Sequence, residues 1–97
     1  MKIAVLGAGA WGTAFAAGLC QKHRVTLWAR DTEQLTAMRA SRVNQRYLPE
    51  VVLTSELTLT PGISDAVAGA DLAIVATPTH ALKETLVQLT RISSRLP

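Results

Sequence analysis

Near the amino terminus, Gly7-Ala8-Gly9-Ala10-Trp11-Gly12 places glycine at the first, third and sixth positions of a six-residue run. The spacing arises by chance in many chains, so its meaning depends on what flanks it. Here Ile3 to Leu6 is a short apolar run of the kind buried on both faces of a parallel sheet, and it stops at Gly7. From Ala10 to Lys22 the spacing turns helical, with Trp11, Phe15 and Leu19 at four-residue steps and small Ala14, Ala17 and Gly18 beside them. Strand, glycine turn and helix in that order predict a dinucleotide site. Gly7 permits the tight turn, Gly9 lets the backbone approach a pyrophosphate, and Gly12 lets helix and strand pack closely. Free backbone N–H groups and the dipole at the helix start then attract the phosphates. Trp11, between the second and third glycines, reads equally as lining the cofactor and as packing with Phe15.

A second group lies about 20 residues on, where NAD-specific domains place an acidic residue for the adenosine ribose hydroxyls. Arg30 comes first here and Asp31 follows. Arginine offers a planar, permanently charged fork for a 2′-phosphate, and Asp31 has a competing role as the N-cap of the next helix, so NADP(H) is favoured and NAD(H) is the alternative. Thr77-Pro78 closes a later apolar strand at the crevice where open α/β sheets bind ligands, and reads equally as a helix cap. His80 and Lys83, near or within the helix that follows, read as cap and surface residues without an acid-base partner. No catalytic group and no metal site is expected in these residues.

These groups need elements to hold them. Val25 to Ala29 reads as a second buried strand. Asp31-Thr32-Glu33-Gln34 resembles a capping box opening a helix with Leu35 and Met38, and 42–54 reads as an irregular connection. Leu57 to Thr60 alternates like a strand, Ile63 and Val67 support a short helix ending near Gly69, and Asp71 to Ala76 is another apolar strand. After it comes a helix with Leu82, Leu86 and Leu89 on one stripe. Four strands alternating with helices predict an α/β, Rossmann-type doubly wound parallel sheet, ending after about four strands.

The 97 residues suffice for one domain, and 48% hydrophobic against 18% charged residues describes a globular interior. The net charge of +3 is scattered through residues such as Lys22, Arg24, Arg30, Arg39, Arg42 and Arg46, without a basic tract, so nucleic acid is not expected as a partner. The lone Cys20, among apolar residues, reads as a small buried hydrophobe, and one cysteine makes neither a disulfide nor a cysteine zinc site within the chain. No stretch approaches the roughly 20 apolar residues of a membrane span, and the start lacks a signal-peptide pattern, so a cytoplasmic location is expected.

With these residues in place, the chain resembles the bacterial NAD(P)-dependent glycerol-3-phosphate dehydrogenases. I-A-V-L-G-A-G-A-W-G-T-A looks like that family's glycine fingerprint, V-T-L-W-A-R-D its second strand, and A-D-L-A-I-V-A-T-P-T-H its fourth strand and turn. Asn44, Tyr47, Leu48 and Pro49 are similar to its N-x-x-Y-L-P stretch, which ordinary Rossmann domains lack. The resemblance implies hydride transfer to dihydroxyacetone phosphate, giving sn-glycerol 3-phosphate for phospholipid synthesis. It also implies cofactor contacts at Gly7, Gly9, Ala10, Trp11 and Gly12, with Arg30 at the adenosine ribose and Tyr47 nearby. Ala10 departs from the serine frequent there, which preserves a backbone contact and removes a hydroxyl. The family's catalytic lysine and helical C-terminal substrate domain fall beyond Pro97. Residues 1–97 are thus expected to be an incomplete NAD(P)-binding domain, inactive alone, whose exposed sheet edge favours self-association, including a homodimer. Related β-hydroxyacid dehydrogenases, ketopantoate reductases and a non-catalytic nucleotide-sensing module are the alternatives.

Overall fold

The computed structural model describes residues 1–77 and 83–87. The elements run β1 (Lys2–Leu6), α1 (Ala10–Leu19), β2 (Arg24–Trp28), α2 (Thr32–Ser41), β3 (Val43–Asn44), β4 (Leu48–Val52), β5 (Thr58–Thr60), α3 (Ile63–Val67) and β6 (Leu72–Val75). Residues 83–87 are helical. Strands β5, β2, β1 and β6 form, in that order, a parallel sheet, the arrangement expected from the alternation of apolar runs and helices. Each strand of this sheet lies within about a residue of the run read from the sequence.

The sheet is covered on both faces because Ile3 to Leu6 of β1 and Val25, Leu27 and Trp28 of β2 are apolar and buried. Ile3 and Val5 of β1 and Val25 and Leu27 of β2 face Ala16, Leu35 and Met38 of α1 and α2. Ala4, Leu6 and Trp28 face Ala66 of α3, with Ile63 and Val67 packed alongside. Each fully buried Leu or Val in these layers contributes roughly 1.5–3 kcal/mol of transfer free energy. Cys20 is buried, as expected of a small hydrophobe. Among the described residues, no helix is long and apolar enough to cross a membrane.

Two expectations are corrected. Residues 42–54 are not an irregular connection, for Val43–Asn44 and Leu48–Val52 pair as an antiparallel hairpin. Its entrance is set by Arg42, which ends α2 in the left-handed region at φ 57°. The Arg42 side chain donates to the carbonyl oxygens of Leu53 (3.1 Å), Leu57 (2.8 Å) and Thr54. The helix stripe is also different: Trp11 and Phe15 face outward at 76% and 47% exposure, their rings 6.1 Å apart, while Gly12, Thr13 and Ala16 turn inward. Small residues set that face because α1 lies too close to the sheet for an aromatic ring. The helix after β6 is described over 83–87, where Thr85 is buried; Leu82 and Leu89 lie outside the described residues.

Candidate functional site

The order β5-β2-β1-β6 reverses direction at β1, with α1 and α2 on one face and α3 on the other. Open α/β sheets bind ligands outside the carboxyl ends of the strands at such a switch point. A crevice of about 240 Å³ lies there. It is lined by Gly7 to Ala10 after β1, Trp28 to Asp31 at the end of β2, Gln34 of α2, Arg46 and Tyr47 of the hairpin, Thr77 after β6, and Thr85. Two further depressions lie away from the start of α1, one of about 490 Å³ at the amino ends of β1 and β2 and one of about 580 Å³ along β2 and β5 beside Asp65 of α3. Their size does not make them better candidates, since neither is lined by the glycine turn or the start of α1.

Each glycine of the turn has a different physical reason. Gly7 sits at φ +122°, and a Cβ there would come within 2.7 Å of the Ala76 carbonyl oxygen. Its N–H donates to the carbonyl of Trp28 at 2.9 Å, tying the turn to the end of β2. A Cβ on Gly12 would stand 1.8 Å from the Gly7 carbonyl oxygen, so only glycine lets α1 approach β1. Gly9 has neither constraint. It caps α1 at φ −76°, an ordinary angle for any residue, and a Cβ there would meet nothing within 4 Å.

The start of α1 is open to an anion. Gly9 supplies no side-chain cap and the first turn holds no acidic residue, so its backbone N–H groups and positive dipole end lack a protein counter-charge. α2 is the contrast: Asp31 Oδ1 accepts from the N–H groups of Glu33 (2.9 Å) and Gln34 (3.2 Å). The expected N-cap is therefore formed, but the Gln34 side chain does not close a capping box. Its Nε2 donates instead to the carbonyl of Ala8 at 2.9 Å and to Asn44 Oδ1 at 3.3 Å. The Gln34 N–H, first, together with Arg46 and the Glu33 N–H, holds the Asp31 carboxyl below its ordinary pKa, against a smaller opposing effect of desolvation.

The residues singled out from sequence are partly brought together. Gly7, Gly9, Ala10, Arg30, Tyr47 and Thr77 all line the crevice. Gly12 is packed beneath it, and the Trp11 side chain points to solvent rather than into it. Pro78 and His80 lie outside the described residues. Arg30 pairs with Glu84 at 2.6 Å, and Thr77 Oγ1 is buried without a hydrogen-bond partner among the described residues. Gln34, Arg46 and Thr85 also line the crevice and were not singled out. Arg46 stands one residue before Tyr47 in the N-x-x-Y-L-P stretch, a signal that could have flagged it. Among the described residues no group of His, Cys, Asp and Glu could hold a metal ion.

The arrangement is matched in known proteins. A chain of Nitrosomonas europaea named glycerol-3-phosphate dehydrogenase [NAD(P)+] is 47% identical over 97 residues, covering all of this chain and 30% of the relative. One of Variovorax paradoxus with the same name is 51% identical over 90 residues, covering 92% of this chain and 27% of the relative. The crystal structure of glycerol-3-phosphate dehydrogenase from Coxiella burnetii superposes with a TM-score of 0.88 at 32% identity, over 94% of this chain and 28% of that one. The chain thus spans about 30% of the length of the curated relatives it matches. Residues 2–96 match the profile of the family described as NAD-dependent glycerol-3-phosphate dehydrogenase N-terminus, and the chain belongs to that family.

Proposed function

We propose that this chain is the NAD(P)H-binding part of a cytoplasmic sn-glycerol-3-phosphate dehydrogenase, which reduces dihydroxyacetone phosphate to sn-glycerol 3-phosphate for glycerophospholipid synthesis. Gly9 carries the reading. Neither its backbone angle nor its packing calls for glycine, and the space a side chain would fill lies over the start of α1, where a pyrophosphate would seat. The hydroxyl of Thr77, without a hydrogen-bond partner among the described residues, also fits a polar ligand in the crevice.

When bound, the dihydronicotinamide supplies a hydride to the substrate carbonyl. The residues present bind and orient the cofactor. The amides of Ala10, Trp11 and Gly12 at the start of α1 hold the pyrophosphate. Arg30 meets the adenosine ribose end, where its charge favours NADP(H) over NAD(H). Tyr47 borders the same end, and Thr77 offers its hydroxyl from the far side. The crevice is smaller than the roughly 300–1,000 Å³ of pockets that enclose a whole ligand, so one end of the dinucleotide sits in it while the rest crosses the open turn. Lys83, exposed on its helical stretch, serves as a surface charge, and the proton donor for the product alkoxide is assigned to the remainder of the parent enzyme.

Calorimetric titration of the chain with NADPH and NADH, and an assay of NADPH oxidation with dihydroxyacetone phosphate, test the proposal. The chain binds cofactor without turnover, and the parent enzyme turns over. Failure to bind either dinucleotide, or turnover by the chain alone, contradicts it.

A further inference from the structure

Arg46 comes from the turn of the β3–β4 hairpin, yet its Nη1 reaches back to Asp31 Oδ2 at 3.3 Å, across the mouth of the crevice. Asp31 Oδ1 is already taken by the two α2 amides, so Oδ2 is the oxygen left to accept from Arg46. Arg30, on the adjoining residue, has its own carboxylate partner in Glu84. The charges here are thus two guanidiniums from two separate elements, each paired with a carboxylate: Asp31, which lines the crevice, and Glu84, which does not. Both ion pairs are about half exposed, with side-chain exposures of 53% and 59% for one and 55% and 44% for the other, so both are weakly held and free to exchange for a stronger anion.

This composition poses a conflict for a 2′-phosphate, which carries about −1.5 to −2 charge near neutral pH. Arg30 attracts it, but the adjoining Asp31 carboxylate repels it and on its own suits the 2′-hydroxyl of the unphosphorylated cofactor. Arg46 resolves the conflict. We propose that Arg46 is a specificity-determining residue: it neutralises Asp31 and offers a second guanidinium to the 2′-phosphate, letting one crevice accept NADPH as well as NADH. The assignment rests on the dinucleotide reading above. With NADH bound, Asp31 Oδ2 accepts from the ribose 2′-hydroxyl while retaining Arg46. With NADPH bound, Arg30 and Arg46 turn their N–H groups to the phosphate oxygens, an acceptor that planar guanidiniums match in paired fashion. Hydrogen bonding of the Arg46 guanidinium, first as donor to Asp31 and then with Tyr47, raises its pKa above the ordinary arginine value, and a guanidinium stays charged throughout the range in which the phosphate is ionised.

The test is a charge-rescue cycle on the 97-residue chain, titrated calorimetrically with NADPH and NADH. Arg46→Gln lowers the ratio of NADPH to NADH affinity by about tenfold or more, the size of one charge-assisted contact. Asp31→Asn placed in the Arg46→Gln background keeps an N-cap residue, removes the unneutralised carboxylate and raises the ratio by about threefold or more above that of Arg46→Gln, the direct phosphate contact of Arg46 remaining lost. Lys22→Gln, an equal loss of charge at the opposite end of the sheet, leaves the ratio unchanged and measures the general electrostatic contribution. Arg46 is exposed, and thermal melts monitor the fold of each variant. An equal loss for both cofactors in Arg46→Gln, or no rescue by Asp31→Asn, overturns the role of Arg46 while leaving the dinucleotide reading intact. Binding of neither cofactor by the unmodified chain overturns both.

Discussion

Asn44 Nδ2 donates to the carbonyl oxygen of Ala8 at 2.8 Å, joining the hairpin to the phosphate turn across 36 residues of sequence. The same amide donates to Thr13 Oγ1 at 2.8 Å, and its oxygen accepts from Gln34, so β3, α1, α2 and the turn meet at one buried side chain. The Asn44 of N-x-x-Y-L-P therefore works as a bracket that joins the turn to the hairpin carrying Arg46 and Tyr47, both of which line the crevice.

Asn44→Ala should accordingly lose stability by about 1–3 kcal/mol, the cost of leaving buried polar partners unsatisfied, and weaken cofactor binding as the turn loosens. Urea denaturation and a titration with NADPH measure the two effects. A variant with both stability and affinity intact would show that the bracket is dispensable.

The glycines separate by environment. Gly12→Ala forces a Cβ into the Gly7 carbonyl, backbone against backbone, and should cost about 3 kcal/mol or more. Gly18, exposed in the same helix with nothing within 4 Å of a Cβ, should gain roughly 0.5–1 kcal/mol as Gly18→Ala, because alanine restricts the unfolded chain. Paired urea curves check this; equal effects of the two substitutions would refute the packing argument.

The fold was largely legible because the main sheet announces itself locally. β6 and all of β1 after Lys2 are continuous apolar runs, β2 is apolar from Val25 but for Thr26, and the glycine turn marks where the first becomes a helix. The hairpin was not legible, since β3 is two residues long, β4 begins Leu48-Pro49, and its placement depends on Arg42 in a left-handed cap reaching three distant carbonyls. The outward turn of Trp11 was hidden for a related reason. Helical spacing groups Trp11 with Phe15, but close approach to the sheet selects the opposite face, where Gly12 and Ala16 fit. In the candidate site, Arg30 could be read from its position after β2, whereas Arg46 enters through a tertiary contact.

Acid should expose the role of Asp31. Its folded-state pKa is lowered, chiefly by the Gln34 N–H. Its contribution to stability is thus complete above the ordinary aspartate value near ~3.9, and is lost as pH falls through the lower folded-state value. The stability difference between the unmodified chain and Asp31→Asn should shrink from about pH 5 to about pH 2. A difference independent of pH over that range would remove the charge from the capping role.

The two tryptophans should behave oppositely. Trp11→Ala, at an exposed position, should change stability by no more than about 0.5 kcal/mol and cofactor affinity by no more than about threefold, because the backbone N–H is retained. Trp28→Ala should cost roughly 3–5 kcal/mol, since the ring is buried and its Nε1 donates to the Pro61 carbonyl at 3.0 Å. Denaturation of both variants and a titration of the first decide it; a large loss of affinity in Trp11→Ala would place its side chain on the cofactor.

Gly9→Asp gives the most direct measurement. Aspartate is a favoured N-cap and suits the positive end of α1, and the space around the Gly9 Cβ is free, so the fold should melt at the same temperature or higher. That same carboxylate would occupy and repel the pyrophosphate, and the Kd for NADPH and for NADH should rise by about a hundredfold, roughly two charge-assisted contacts. Affinity for both cofactors within about threefold of the unmodified chain would contradict a dinucleotide seated on this turn.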